Sequence, residues 1–145
     1  MLEADEPGVY EGECAEFCGL QHAHMVATVI AQPRAAFDAW LANMAKPARV
    51  PAKPSERAGL TAFLSESCAG CHRIRGTLAN GDVGPDLTHL ETRQRLAAGT
   101  VPNDYVHLAG WIAAPQHFKP GNRMPTVPLT GNQFGDVLAY LQSLK

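Results

Sequence analysis

Cys68-Ala-Gly-Cys71-His72 constrains this chain more than any other stretch of it. Two thiols one helical turn apart can add to the two vinyl groups along one edge of a porphyrin. The histidine that follows then projects an imidazole at the iron, so C-x-x-C-H reads as a covalent haem attachment site. A thioredoxin-like dithiol is the competitor, but it would follow a strand, and here a helix is expected before it. A zinc site would need a second ligand pair, which the second half of the chain lacks.

The distal iron ligand should be a downstream His or Met, Met giving the higher potential. Residues 54–145 hold one methionine, Met124, in Lys119-Pro-Gly-Asn-Arg-Met-Pro125. An isolated Met is usually core filler. In a Pro/Gly-rich loop, though, an apolar side chain needs something to hold it, so Met124 is the expected ligand, with His89, His107 and His117 as fallbacks. His72 needs an acceptor to fix its ring, and the Pro85 carbonyl in Gly84-Pro-Asp-Leu87 is the candidate. Gly59 costs about 1 kcal/mol relative to Ala inside a helix; a close crossing by the last helix near Tyr140 would explain it.

Around these residues the chain divides in two. Lys46-Pro-Ala-Arg-Val-Pro-Ala-Lys-Pro54 reads as a semi-extended linker between residues 1–45 and 55–145. Before it, residues 8–31 have β character, with Val26-Ala-Thr-Val-Ile-Ala31 rich in β-branched side chains. Residues 34–45 then predict a short amphipathic helix presenting Phe37, Trp40, Leu41 and Met44. This half is too small for a complete β domain. After the linker, Ser55 is expected to cap a helix with Glu56 in its first turn and Leu60, Phe63 and Leu64 as its buried stripe. A short helix is predicted over 92–98, ended by Gly99. Another runs from Asn103 to Pro115 and carries Trp111. Thr130-Gly-Asn-Gln133 is a capping box that opens a last helix with Phe134, Val137, Leu138 and Leu141.

Helix, C-x-x-C-H, Gly-Pro-Asp-Leu, a middle helix with Trp111, Met-Pro and a C-terminal helix together resemble a small class I cytochrome c. The resemblance implies a mainly α fold, a class I cytochrome c fold, preceded by an incomplete β, cupredoxin-derived segment with a short helix. It also implies a proximal His72 beneath the Pro85 carbonyl, first and last helices that cross, and haem propionates met by Trp111 and Arg93.

The first half contains Cys14-Ala-Glu16-Phe-Cys18-Gly-Leu-Gln-His22-Ala-His-Met25. Two thiolates, a His and a Met make a soft ligand set suited to copper; a disulfide across the loop, or a copper chaperone site, are the alternatives. The whole string resembles the CuA loop in the second subunit of haem-copper oxidases, C-x-E-x-C-x-x-x-H-x-x-M. That resemblance implies that Cys14 and Cys18 bridge two copper ions, His22 and Met25 each bind one, and Glu16 contributes its backbone carbonyl. His24 has the wrong spacing. The related nitrous oxide reductase loop usually has Trp where Glu16 stands. The family takes a second His from a strand well upstream, and residues 1–13 contain no histidine. The chain therefore reads as a C-terminal fragment with an incomplete copper site, in which Cys14 and Cys18 are reduced or disulfide-bonded.

A CuA tail (1–45), a proline-rich linker (46–54) and a cytochrome c domain (55–145) are the layout of subunit II in caa-type cytochrome c oxidases. What this implies is electron transfer with no catalytic residue in the chain. A donor such as a small cytochrome c or the bc complex reduces haem c, and CuA then feeds core subunit I. A free-standing monohaem carrier, a nitric oxide reductase subunit and a peroxidase-like haem protein are the other readings. Net charge is −2, too near neutral to imply nucleic acid; four Lys/Arg against seven Asp/Glu precede residue 54, and eight against seven follow. No apolar run approaches the roughly 20 residues a membrane span needs. Met1 is followed by Leu-Glu-Ala-Asp-Glu, which is no leader. Any membrane anchor is thus expected upstream, with the chain on the periplasmic or outer face of the bacterial cytoplasmic membrane.

Overall fold

Two helices cross at Gly59, and residues 54–145 are built around that crossing. A computed structural model describes residues 3–145; Met1 and Leu2, which open the segment read as carrying no leader, lie outside them. Helix α2 (Pro54–Ser65) begins one residue before the expected cap at Ser55, with Pro54 in its first turn. A proline there has no N–H to leave unsatisfied. The Glu56 carboxylate instead accepts the N–H groups of Ala52 (2.9 Å) and Lys53 (3.2 Å). Of the expected stripe Phe63 is fully buried, with Ala62 and Gly59 beside it, while Leu60 and Leu64 are half-buried. The last helix, Gly131–Leu141, starts on the predicted capping box: Gln133 N–H donates to Thr130 Oγ1 and Thr130 N–H to Gln133 Oε1 (3.0 Å). A Cβ on Gly59 would lie 2.0 Å from the Asp136 carbonyl oxygen and 2.7 Å from Tyr140 Cβ. The glycine is what lets these backbones touch. Around the contact Phe63, Val137, Leu138, Tyr140 and Leu144 are almost solvent-free, Phe63 meeting Tyr140 edge-on.

Between these helices the chain departs most from expectation at residues 92–98. These residues form no α-helix. A 3-10 turn at Leu90–Thr92 leads into a two-residue strand β3 (Arg95–Leu96), which pairs antiparallel with β4 (Val101–Pro102). Asn103 sets this arrangement: its side chain donates to the carbonyls of Leu90 and Arg93 and its N–H to that of Gln94. Leu96 and Val101 are buried, which a helix through them would not achieve together. The connection uses positive φ at Ala97, Ala98 and, as anticipated, Gly99. A nine-residue helix, Tyr105–Ala113, follows; it starts after Asp104, not at Asn103, because Asp104 Oδ1 accepts the His107 N–H. Pro115 ends it and opens a single further turn, Pro115–Phe118. A short turn at Cys68–Cys71 completes the helices of this half. With β1, β2, α1 and α2 ahead of them in chain order, the turn is α3, these two helices α4 and α5, and Gly131–Leu141 is α6.

The first half is a hairpin and a helix. Strand β1 (Gly8–Glu13) pairs antiparallel with β2 (Val26–Ala31), from Gly8 opposite Ala31 to Glu13 opposite Val26. Helix α1 (Arg34–Met44) buries no residue; Phe37, Trp40 and Leu41 stay 41%, 47% and 51% exposed. Residues 47–52 of the linker have no regular secondary structure, but the segment is not loose. Ala48 N–H donates to Arg75 O, Arg49 pairs with Glu56 at 2.8 Å and donates to Ser143 O, and His89 Nε2 lies 3.1 Å from Lys46 O. No described helix is long and apolar enough to cross a membrane.

Candidate functional site

The turn α3 puts both thiols of the C-x-x-C-H motif on the wall of one cavity. His72 N–H still bonds Cys68 O, but the residue itself has left the helix in an extended conformation, and its ring also lines the cavity. His72 Nδ1 lies 2.9 Å from the Pro85 carbonyl, the acceptor expected from sequence. An Nδ1–H donated there leaves the Nε2 lone pair free for a metal. Two glycines seat this residue, Gly84 against its ring and Gly81 against the Cys71–His72 backbone, and sequence reasoning did not single them out. A Cβ on Gly84 would stand 2.6 Å from His72 Cε1, and one on Gly81 2.4 Å from the Cys71 carbonyl carbon. Their signal was the run Gly81-Asp-Val-Gly84-Pro85, where spaced glycines mark close backbone approach. Burial pushes the Cys68 thiol pKa up.

The cavity measures about 540 Å³, inside the ~300–1,000 Å³ range of cofactor and ligand sites. Phe63, Leu87, Leu96, Leu108, Ile112 and Leu141 are among its apolar walls. Met124, Trp111 and Arg93 line it too, and the chain adds Arg95, Lys119 and Arg123, cations the sequence did not flag. Arg93 is shared, since it also donates to the Asp86 carbonyl. The fallback histidines are all turned elsewhere. His89 is buried between the carbonyls of Lys145 and Lys46, His107 pairs with Asp104 at 2.7 Å, and His117 packs edge-on against Phe118. Two thiols, an imidazole with a free nitrogen, a thioether and a ring of cations on one apolar cavity suit a porphyrin with its iron and its two carboxylates.

The second motif gathers as well. Cys14 Sγ lies 3.5 Å from Cys18 Sγ, and Cys18 Sγ lies 3.8 Å from His22 Nδ1 and 3.6 Å from Met25 Sδ. The Glu16 carbonyl oxygen is 3.0 Å from Cys14 Sγ while its carboxylate points to solvent, so the backbone of this residue, not its side chain, faces the cluster. The ligand atoms of Cys14, Cys18 and His22 all fall within 4.8 Å of one another. His24 is exposed and stays out of that group. Hydrogen bonding to Cys14, then burial, push the Cys18 thiol pKa up. Among the described residues the cluster has no second histidine.

The two sites meet. Gln21, next to His22, donates from Nε2 to the Pro120 carbonyl at 2.5 Å, and Leu20 packs against Gly121 in the loop that carries Met124. Val26 packs against Gly99 on the β3–β4 connection.

Residues 56–145 match the family model described as Cytochrome c. Over 99% of its length the chain is 40% identical to cytochrome c oxidase subunit 2 of Alkalihalophilus pseudofirmus, covering 42% of that protein. It is 35% identical over 95% of its length to the same subunit of Bacillus sp. (strain PS3), and 26% identical over 94% to that of Bacillus subtilis, covering 40% of each. The chain thus spans about two fifths of the length of the curated relatives it matches.

Proposed function

The chain belongs to the cytochrome c family, whose members carry haem c and transfer electrons, and from that premise we propose that it is the electron-entry part of a cytochrome c oxidase subunit II. In this reading residues 55–145 are the haem domain, 46–54 a docked connector and 1–45 the end of a CuA domain. The contact between the copper-type loop and the Met124 loop carries the proposal. A free-standing carrier has no use for a soft-ligand cluster bonded to the loop beside its distal ligand.

Cys68 and Cys71 would anchor the haem through thioethers, His72 and Met124 would ligate its iron, and Arg93 and Trp111 would receive its propionates. Bound there, the haem supplies a one-electron iron couple whose potential thioether ligation raises. The Pro85 carbonyl holds the His72 ring in one tautomer and one rotation. Phe63, Leu108, Ile112 and their neighbours exclude water, which limits reorganisation when charge changes. Cys14, Cys18, His22, Met25 and the Glu16 carbonyl would be the copper ligands this chain contributes, with a further histidine supplied from outside it. Copper bound there supplies a second one-electron centre. In the complex the subunit stands between a donor, a small cytochrome c or the bc complex, and core subunit I, on the outer face of the bacterial cytoplasmic membrane.

Two measurements test this. A mass increment of one haem should survive denaturation and disappear in Cys68→Ala/Cys71→Ala, and the ferric charge-transfer band of methionine ligation should vanish in Met124→Ala. In the full-length subunit, Cys18→Ser should abolish copper absorbance and donor-driven oxygen consumption while the donor still reduces the haem. Undiminished oxygen consumption would refute the relay through the copper cluster, and a full-length subunit that supports no donor-driven oxygen consumption at all would refute the oxidase reading and leave a simple carrier.

A further inference from the structure

The segment carrying Met124 runs between α5 and α6 with no regular secondary structure, yet one side chain ties it together. Asn122 donates from Nδ2 to the carbonyls of Pro115 (2.9 Å) and Lys119 (2.6 Å), and its Oδ1 accepts the Met124 N–H at 2.7 Å. That amide is half-buried and lines the haem cavity. Gln116 braces the same loop from outside: Nε2 donates to Asn122 O (2.9 Å) and to Met124 O (3.3 Å), and Oε1 accepts the Gly121 N–H (3.0 Å). Gln116 is exposed, so water competes for its bonds more than for those of Asn122.

We propose that Asn122 is a positioning residue for the distal ligand: its amide holds residues 115–124 in the conformation that turns the Met124 thioether into the cavity. This rests on Met124 being that ligand. A thioether is a neutral, weak ligand, and an added base can take its place whenever the loop swings away. The fraction of protein with Met124 in place therefore follows the free-energy gap between loop conformers. Each bond that exists only in the closed loop weights that conformer by roughly two- to tenfold. Asn122 makes three of them, so the loss of its amide should be felt at the iron before it is felt in the fold.

The test titrates the ferric haem-loaded protein with imidazole and follows loss of the methionine charge-transfer band. Asn122→Ala should bind imidazole at least tenfold more tightly than the wild type. Asn122→Ser, whose hydroxyl can still accept the Met124 N–H, should fall between the two. Thr130→Ala, which removes the cap of α6 and lowers thermal stability, controls for general loosening and should leave imidazole affinity within twofold of wild type. If Asn122→Ala binds imidazole as the wild type does, or only as much more tightly as Thr130→Ala, the proposal falls while the ligand assignment stands. A wild-type protein with no methionine band would instead overturn the assignment, and the proposal with it.

Discussion

Gly59→Ala adds a single methyl group, and its effect can be worked from the crossing of α2 and α6. The new Cβ would sit 2.0 Å from the Asp136 carbonyl oxygen, where ordinary contact begins at 3.4 Å; the shortfall, 3.4 minus 2.0, is 1.4 Å. The obstructing atoms are backbone, so no side chain can rotate away and the helices themselves must part. A gap of 0.5–1 Å already forfeits about a quarter to a half of a van der Waals well, and here the whole Phe63–Val137–Tyr140 seam opens. Overpacking of this kind costs about 3 kcal/mol, the upper end of its usual range. Replacing a mid-helix glycine by alanine returns about 1 kcal/mol, leaving a net loss of about 2 kcal/mol. For a domain of this size that lowers Tm by roughly 8–16 °C. Gly135→Ala is the matched control: it lies within α6, and beyond its own helix backbone and chain neighbours no described atom stands within 4 Å of its would-be Cβ. It should be neutral or stabilising by up to about 1 kcal/mol. Thermal and urea denaturation of the haem-loaded proteins, followed by circular dichroism, measure both. A Gly59→Ala protein that melts at or above the wild-type temperature would refute the close-contact argument.

Three further outcomes follow from the same packing. Among the described residues the buried Tyr140 hydroxyl finds no hydrogen-bond partner, and burial pushes its pKa up to about 12. Tyr140→Phe should therefore stabilise the protein by about 1 kcal/mol in denaturant titrations at neutral pH. The wild type should also lose stability above pH ~10, as the unfolded tyrosine ionises first, and the variant should not lose this part. Burial alone would raise the Glu56 pKa, but the N–H groups of Ala52 and Lys53 and the Arg49 guanidinium outweigh it and hold the pKa below its ordinary value. Its contribution is complete above the unfolded value of about 4.3 and fades as pH falls through the lower folded one, so Glu56→Gln should flatten the acid limb of a Tm-against-pH curve. Gly84→Ala drives a methyl into the His72 ring and should perturb the haem Soret spectrum and weaken the proximal bond, with carbon monoxide binding to the reduced protein as the assay.

Local rules carried far where the deciding contact was itself local or unavoidable. Thr130 and Gln133 lie three residues apart, and their reciprocal bonds need nothing else. Gly59 was readable because only a close neighbour excuses a glycine in mid-helix, and the Pro85 carbonyl because an imidazole bound to a metal needs its other nitrogen held. The failures came where distant partners decide. Residues 92–98 have adequate helix propensity, but Asn103 binds the carbonyls of Leu90 and Arg93 and draws the segment into a hairpin, with two alanines at positive φ that no propensity favours. The linker's three prolines imply an absence of regular structure, and residues 47–52 form none. That Arg49 would find Glu56 and Ser143, and His89 reach Lys46, depends on pairings across up to 94 residues, which composition does not encode. The soft-ligand loop is the converse case: its resemblance to a CuA loop pointed to Cys14, Cys18, His22 and Met25, and the one loop between β1 and β2 gathers their side chains.

The α2–α6 crossing also bears on the order in which the protein can be made. The two helices are separated by residues 66–130, so their contact closes a loop of 65 residues, an entropic cost met before any packing rewards it. The Cys68–Cys71 turn needs no such closure; it follows α2 directly, its Gly70 and His72 N–H groups bond Ser67 O and Cys68 O, and its longest backbone bond, from Gly84 N–H to Cys71 O, spans only 13 residues. In a folding chain the thiols can therefore be presented on a formed turn while α6 is still undocked and the cavity has one wall open. A glycine that lets the helices meet so closely also makes that last step all-or-none, because a half-docked α6 leaves Phe63 and Tyr140 without each other. Topology thus separates the moment of cofactor attachment from the moment of sealing, and the first can finish before the second begins.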